Sequence, residues 1–171
     1  MASSWSAMRK ILEQENICES LKGRIQYFAT CYRKSHDELG RVAIRLDGNE
    51  IFKSCYYDYD IKRHEVWDKI NASKNRRTSY SESAEEIEIG VLVEGAFSQH
   101  GFYDAFHIYT NSNISDSLKC SNPVVRLFAV LDKRVGKRKL KNLLSEIETQ
   151  PEWLQIFYKL RLEVDGIIES I

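Results

Sequence analysis

Residues 24–55 read RIQYFATCYRKSHDELGRVAIRLDGNEIFKSC, three runs in which β-branched and aromatic residues alternate with polar ones, separated by two turn signals. Alternation at a period of two marks strands with one face buried. The loop SHDELG (35–40) joins the first two runs, and Asp47-Gly48 joins the last two, a pair suited to the two positive φ values of a type I′ hairpin. The stretch therefore predicts a three-stranded antiparallel meander.

Register follows if Asp47 and Gly48 are the central turn residues and Lys34 and Arg41 close the first loop. One face then gathers Ile25, Tyr27, Ala29, Cys31, Val42, Ile44, Leu46 and Ile51, and reads as the core side. The other carries Phe28, Thr30, Tyr32 and Lys34 beside Arg41, Ala43 and Arg45, with Glu50 and Phe52 beyond.

Helical patterns flank the meander. Trp5, Met8, Ile11 and Leu12 lie at helical spacing behind a cap at Ser3 or Ser4, with Gly23 as the stop. Ile61, Trp67 and Ile70 mark a helix that ends near NASKNRRTSYSES (71–83), an exposed loop. Ser83-x-x-Glu86 has the form of a capping box. The apolar run behind it is a central helix or, over 87–93, a buried strand. After Asn122-Pro123, a cap and a first-turn proline, three apolar stripes follow. They are Val124 to Leu131, Leu140 to Ile147, and Trp153 to Ile167, the first broken off by Gly136. The expected fold is α+β: a three-stranded antiparallel meander packed against a helical layer, with a three-helix C-terminal section. One domain over 1–171 is expected, helix plus meander over 1–57 and mainly helical over 58–171.

Composition narrows the function classes. Lysine plus arginine equals aspartate plus glutamate at 25 each, so no global field pulls the molecule onto nucleic acid or an anionic membrane. Any such binding is local. Cys18, Cys31, Cys55 and Cys120 form no C-x-x-C pair and no cluster of zinc spacing, which reads as reduced, buried thiols. No apolar stretch has the length of a signal core or a spanning helix, so a cytoplasmic protein without membrane contact is expected. Nucleotide-binding, hydrolase and zinc-protease motifs are absent, and nothing calls for a cofactor or a metal.

Three constellations carry candidate chemistry. In SQHGFYDAFHIYTN (98–111), His100, Asp104 and His107 share one face of a helix, with Phe102, Tyr103, Phe106 and Tyr109 opposite. The two histidines stand about 10.5 Å apart along the axis, too far for a shared metal, so an acid/base pair with Asp104 is the sharper alternative to a solvated face. His36, Asp37 and Glu38 sit at the hairpin tip, where binding groups often lie, although short polar residues suit any loop and closure by the flanking Arg33 and Arg41 is the simplest account. Tyr32, Arg41 and Arg45 interleave aromatic and cationic groups in the way that stacks bases, although Glu50 opposes Arg45.

The densest charge is LDKRVGKRKLKN (131–142). Lys133 and Arg134 fall at a helix end that favours cations, whereas Lys137, Arg138 and Lys139 fall at a helix start that disfavours them, with Lys141 beyond. That placement points to an anion, or to internal pairing with the acidic run Glu82, Glu85, Glu86 and Glu88.

The stretches SLKGRIQYFATCYRKSHDELGRVAIRLDGNEI, NPVVRLFAVLDKRVGKRKL and PEWLQIFYKLRLEVDGI together resemble an uncharacterised family of small bacterial cytoplasmic proteins. The resemblance implies a bacterial, cytoplasmic origin and transfers no activity onto residues. The functional expectation is a non-enzymatic protein that docks an acidic protein partner through Lys137, Arg138, Lys139 and Lys141. The alternative is a nucleic-acid-binding protein, with phosphodiester chemistry at His36 or the His100/His107 face.

Overall fold

The computed structural model describes residues 4–31 and 40–169, the side chain of Cys31 excepted. Strands β1 (Ile25–Cys31), β2 (Gly40–Leu46) and β3 (Asn49–Cys55) form an antiparallel sheet in the order β1-β2-β3. Asp47 and Gly48 have φ of 50° and 84°, and Leu46 pairs with Asn49 across them, as a type I′ turn requires.

The β1–β2 register differs from the expected one: Thr30, not Lys34, faces Arg41. The two positions differ by an even number of residues, so every side chain keeps its assigned face. The first connection consequently lies over 32–39, outside the described residues.

A bulge in β3 has a larger effect. Arg45 pairs with Glu50 as expected, but Ile44 pairs with Phe52, leaving Ile51 as the extra residue. Parity inverts beyond it, and Phe52 turns to the core side rather than the outer side. There it stacks on Phe97, with ring centroids 4.9 Å and planes 8° apart. Ser54 follows on the same side and accepts the Phe97 N–H at 3.0 Å.

Helix α1 (Trp5–Lys10) is capped by Ser4 and continues as a π-helical turn over Ile11–Glu15. It stops there, earlier than Gly23, because Ile17 leaves to form a single antiparallel bridge with Asp132. Glu13 on the π-turn accepts the Tyr27 N–H at 2.7 Å while both its oxygens hold the Arg9 guanidinium.

Helix α2 (Tyr56–Lys74) runs a turn further than the sequence suggests and ends at Asn75 in the left-handed region. Ile61 is exposed and Val66 makes the buried contact instead. Helix α3 (Ala84–Val93) resolves the ambiguity over 87–93 in favour of helix. The capping box does not form. Ser83 is buried and donates to Thr78 Oγ1 at 2.8 Å, while Glu86 is held by Lys74 Nζ at 2.7 Å. Val66, Ile87, Val91 and Ala96 make a small apolar cluster between α2 and α3. At Gly90 an added Cβ would stand 2.6 Å from Val66 Cγ1, so the close helix approach requires glycine there.

The main core lies between the sheet and helices α4 (Gln99–Thr110), α6 (Pro123–Leu131) and α8 (Glu152–Val164). Every residue of α6 except Arg126 is buried. Tyr27 and Phe102 both pack on Phe128, at 5.8 and 5.1 Å between centroids. The short helix α5 (Ile114–Leu118) lies before α6 and was not anticipated. The second C-terminal stripe splits into α7 (Lys137–Leu143) and a 3₁₀ stretch, Leu144–Thr149. The tighter winding rotates Leu144 out to solvent. The observed class is α+β: a three-stranded antiparallel sheet with eight α-helices among the described residues. No helix among them is long and apolar enough to cross a membrane.

Candidate functional site

The cation run from Lys133 to Lys141 divides into parts with different environments. Arg134 is itself half-exposed, but its guanidinium turns onto a buried carboxylate. Its Nη2 and Nε reach Asp132 Oδ2 at 2.6 and 3.0 Å, and its backbone N–H reaches Oδ1 at 2.7 Å. Tyr109 donates its phenol to the same carboxylate, and Asn16 Nδ2 donates to the Tyr109 oxygen at 3.1 Å. Burial first, then the bond to Asp132, pushes the Tyr109 phenol above its ordinary value. The expectation that Arg134 serves the carbonyl end of a helix is corrected: it serves a buried carboxylate.

Arg161 of α8 serves those carbonyls instead. It is 2% exposed, donates to the oxygens of Val130, Asp132 and Val135 at 3.0, 2.8 and 3.0 Å, and holds Asp165 at 2.5 Å. The loop from Asp132 to Gly136 is therefore fixed from behind, and with it the start of α7.

Beyond Gly136 the cations face water. Lys137, Arg138, Lys139 and Lys141 are all exposed, and none has a carboxylate partner among the described residues. Three members of the acidic run Glu82, Glu85, Glu86 and Glu88 are engaged elsewhere: Glu82 with Arg76, Glu86 with Lys74, and Glu88 with Tyr59 and Tyr80. Leu140 and Leu143 turn inward. At about 100° per residue, Lys137 and Lys141 then fall on one flank of α7, Lys139 on the other, and Arg138 outward.

Lys139 Nζ donates to Ser115 Oγ of α5 at 2.5 Å. The two residues line a cleft of 220 Å³ between α5 and α7, which also contains Lys119, Asn142 and Glu146. Leu118 and Leu143 supply its apolar wall.

The outer face of the sheet is more nearly neutral. Glu50 binds Arg45 Nη2 at 3.2 Å and Arg41 Nη2 at 2.5 Å, and these bonds, that to Arg41 foremost, hold its carboxyl below the usual range. The Arg45 and Arg9 guanidinium groups stand 4.2 and 5.5 Å from the centre of the Phe28 ring. The ring's electrons are thus already shared with two cations of the fold. Tyr32 and His36, the other candidates on this side, lie outside the described residues.

On α4, Ser98 caps the first turn and Phe102, Phe106 and Tyr109 are buried, which leaves His100, Asp104 and His107 on the exposed face. Asp104 hydrogen-bonds neither imidazole. The His107 ring meets the Phe106 ring at 6.1 Å. No group of three or more metal-binding side chains converges anywhere among the described residues.

Lys119, Ser115 and Glu146 were not legible as site residues. Lys119 lies 18 positions before Lys137 in sequence, and only the packing of α5 beside α7 joins them. The turn-forming sequence NSNIS (111–115), with Asn113 accepting the Asp116 N–H at 2.9 Å, is the local signal for the helix that carries Ser115 and ends at Lys119.

The chain belongs to the SF0329 protein family, an uncharacterised family whose model matches residues 4–162. No curated protein and no solved structure matches it.

Proposed function

We propose that this protein is a non-enzymatic binding protein of the bacterial cytoplasm, which docks an acidic protein partner through the exposed cations of α7. The observation that carries this reading is the contrast within one run of sequence. Arg134 is neutralised by a buried carboxylate, whereas Lys137, Arg138, Lys139 and Lys141 have no carboxylate partner among the described residues. Four such cations on two helical turns repel one another and cost stability, while an anionic partner would remove that cost. The buried supports behind the loop, Arg161 and Asp132, hold the surface in one orientation without consuming its charge.

An enzyme needs titratable groups that converge in a cleft, and the His100, Asp104 and His107 face offers none that meet. Nucleic acid remains the alternative that the test must separate. Wild-type protein and the Lys137→Glu/Arg138→Glu variant are used to capture partners from bacterial lysate with and without nuclease. Acidic proteins retained by wild type after nuclease, and lost with the variant at unchanged melting temperature, support the proposal. Equal capture by both proteins, or capture that nuclease abolishes, overturns it.

A further inference from the structure

We infer that the cleft between α5 and α7 seats one carboxylate of the partner beside an aliphatic side chain, so that the partner's docking segment is an acidic peptide with interspersed apolar residues. This rests on the docking reading above and specifies the chemistry of its contact.

Size argues first. At 220 Å³ the cleft falls below the roughly 300–1,000 Å³ of pockets that enclose cofactors and drug-sized ligands. It has room for one or two side chains and is too small for a nucleotide.

Charge argues second. Lys119 and Lys139 against Glu146 leave one positive charge in the lining. One carboxylate balances that. A phosphate group, at about −1.5 to −2, overfills it and meets Glu146 with greater repulsion.

Polarity argues third. Leu118 and Leu143, 8% and 6% exposed, present apolar surface in the same cleft, where a purely polar ligand gains nothing. The bond from Lys139 to Ser115 already holds the ammonium at the cleft, so little side-chain entropy is lost when the anion arrives.

The test is an NMR titration of the ¹⁵N-labelled full chain with four probes: an acidic peptide of alternating glutamate and leucine, the same peptide with serine for leucine, inorganic phosphate, and a single-stranded oligonucleotide. The glutamate–leucine peptide should shift the amides of Ser115, Leu118, Lys139 and Asn142, and the serine peptide should bind about tenfold more weakly. Lys119→Gln with Lys139→Gln should abolish the cleft shifts while those at Lys137 and Arg138 persist. Equal binding of the two peptides overturns the apolar half of the inference, and phosphate or oligonucleotide shifting the same amides more strongly overturns the carboxylate half. If the peptide shifts Lys137, Arg138 and Lys141 but leaves the cleft unmoved, the cleft inference fails and the docking reading stands. If it shifts neither group, both fail.

Discussion

Tyr109 on α4 and Asp132 at the end of α6 meet through a buried hydrogen bond, the phenol donating to a carboxylate whose side chain has no exposure at all. The same carboxylate receives Arg134, two residues further along the loop, so one anion joins the loop after α6 to α4. Arg134→Ala should cost about 1.5–3 kcal/mol, the value of a hydrogen bond to a charged group, while Arg138→Ala should fall within about 0.5 kcal/mol of wild type. Urea unfolding of the two variants side by side checks this; equal losses would mean that Arg134 is as peripheral as its neighbours.

Arg161 donates to three carbonyl oxygens, of which that of Asp132 also accepts the Val135 N–H at 3.1 Å. Arg161→Met keeps the stem and removes the donors, leaving those oxygens and Asp165 behind. The expected loss is about 3–5 kcal/mol, with hydrogen exchange accelerating at Cys18 and Lys133, whose N–H groups donate to the Leu131 and Asn16 oxygens and tie this loop to residues 16–18. Unchanged protection at both amides would contradict the role given to Arg161.

Gly90→Ala should destabilise by about 1–3 kcal/mol, because its Cβ would overlap Val66 Cγ1. Val66→Ala in the same chain should recover part of that loss. A double-mutant cycle measures the coupling, and strict additivity would show that the helices separate freely at this point.

Alkaline titration should expose the buried phenols. Tyr27 and Tyr109 are raised mainly by burial, and Tyr158 is pushed up to about 12 by burial. Above the ordinary tyrosine value of about 10, the unfolded chain releases protons that the folded chain retains, so stability is full below that value and falls as pH rises. Each such phenol contributes a slope of about 1.4 kcal/mol per pH unit until its folded value is reached. Absorbance at alkaline pH should therefore show exposed tyrosines ionising first and the buried ones together with unfolding; a single smooth titration of all nine would refute it.

The meander was readable because its signals are local: period-two alternation and an Asp-Gly turn fix faces within a few residues. The bulge was not, since an extra residue at Ile51 leaves no mark in the alternation until Phe52 finds Phe97. Glu50 opposite Arg45 was legible from register alone. Ser83 and Glu86 misled for the opposite reason, as their capping pattern lost to tertiary partners, Thr78 and Lys74. The cations of α7 and their separation from Arg134 at a helix boundary could be found in the sequence, but the burial of Asp132 beneath Arg134 could not, because Asp132 and its partner Tyr109 stand 23 positions apart. Charge runs show where ions are, and packing decides which of them remain available.

The carboxylate of Glu13 occupies the place at Tyr27 where a neighbouring strand's carbonyl would lie. Among the described residues β1 has a strand partner on one side only, and an unpaired strand margin invites another chain to add itself there. With Arg9 fastening Glu13, an incoming strand would have to displace an ion pair as well as a hydrogen bond. Growth of the sheet into fibres is thereby opposed at this border. Replacing Glu13 with an apolar residue would turn that border into a template for aggregation while leaving the helical surfaces untouched.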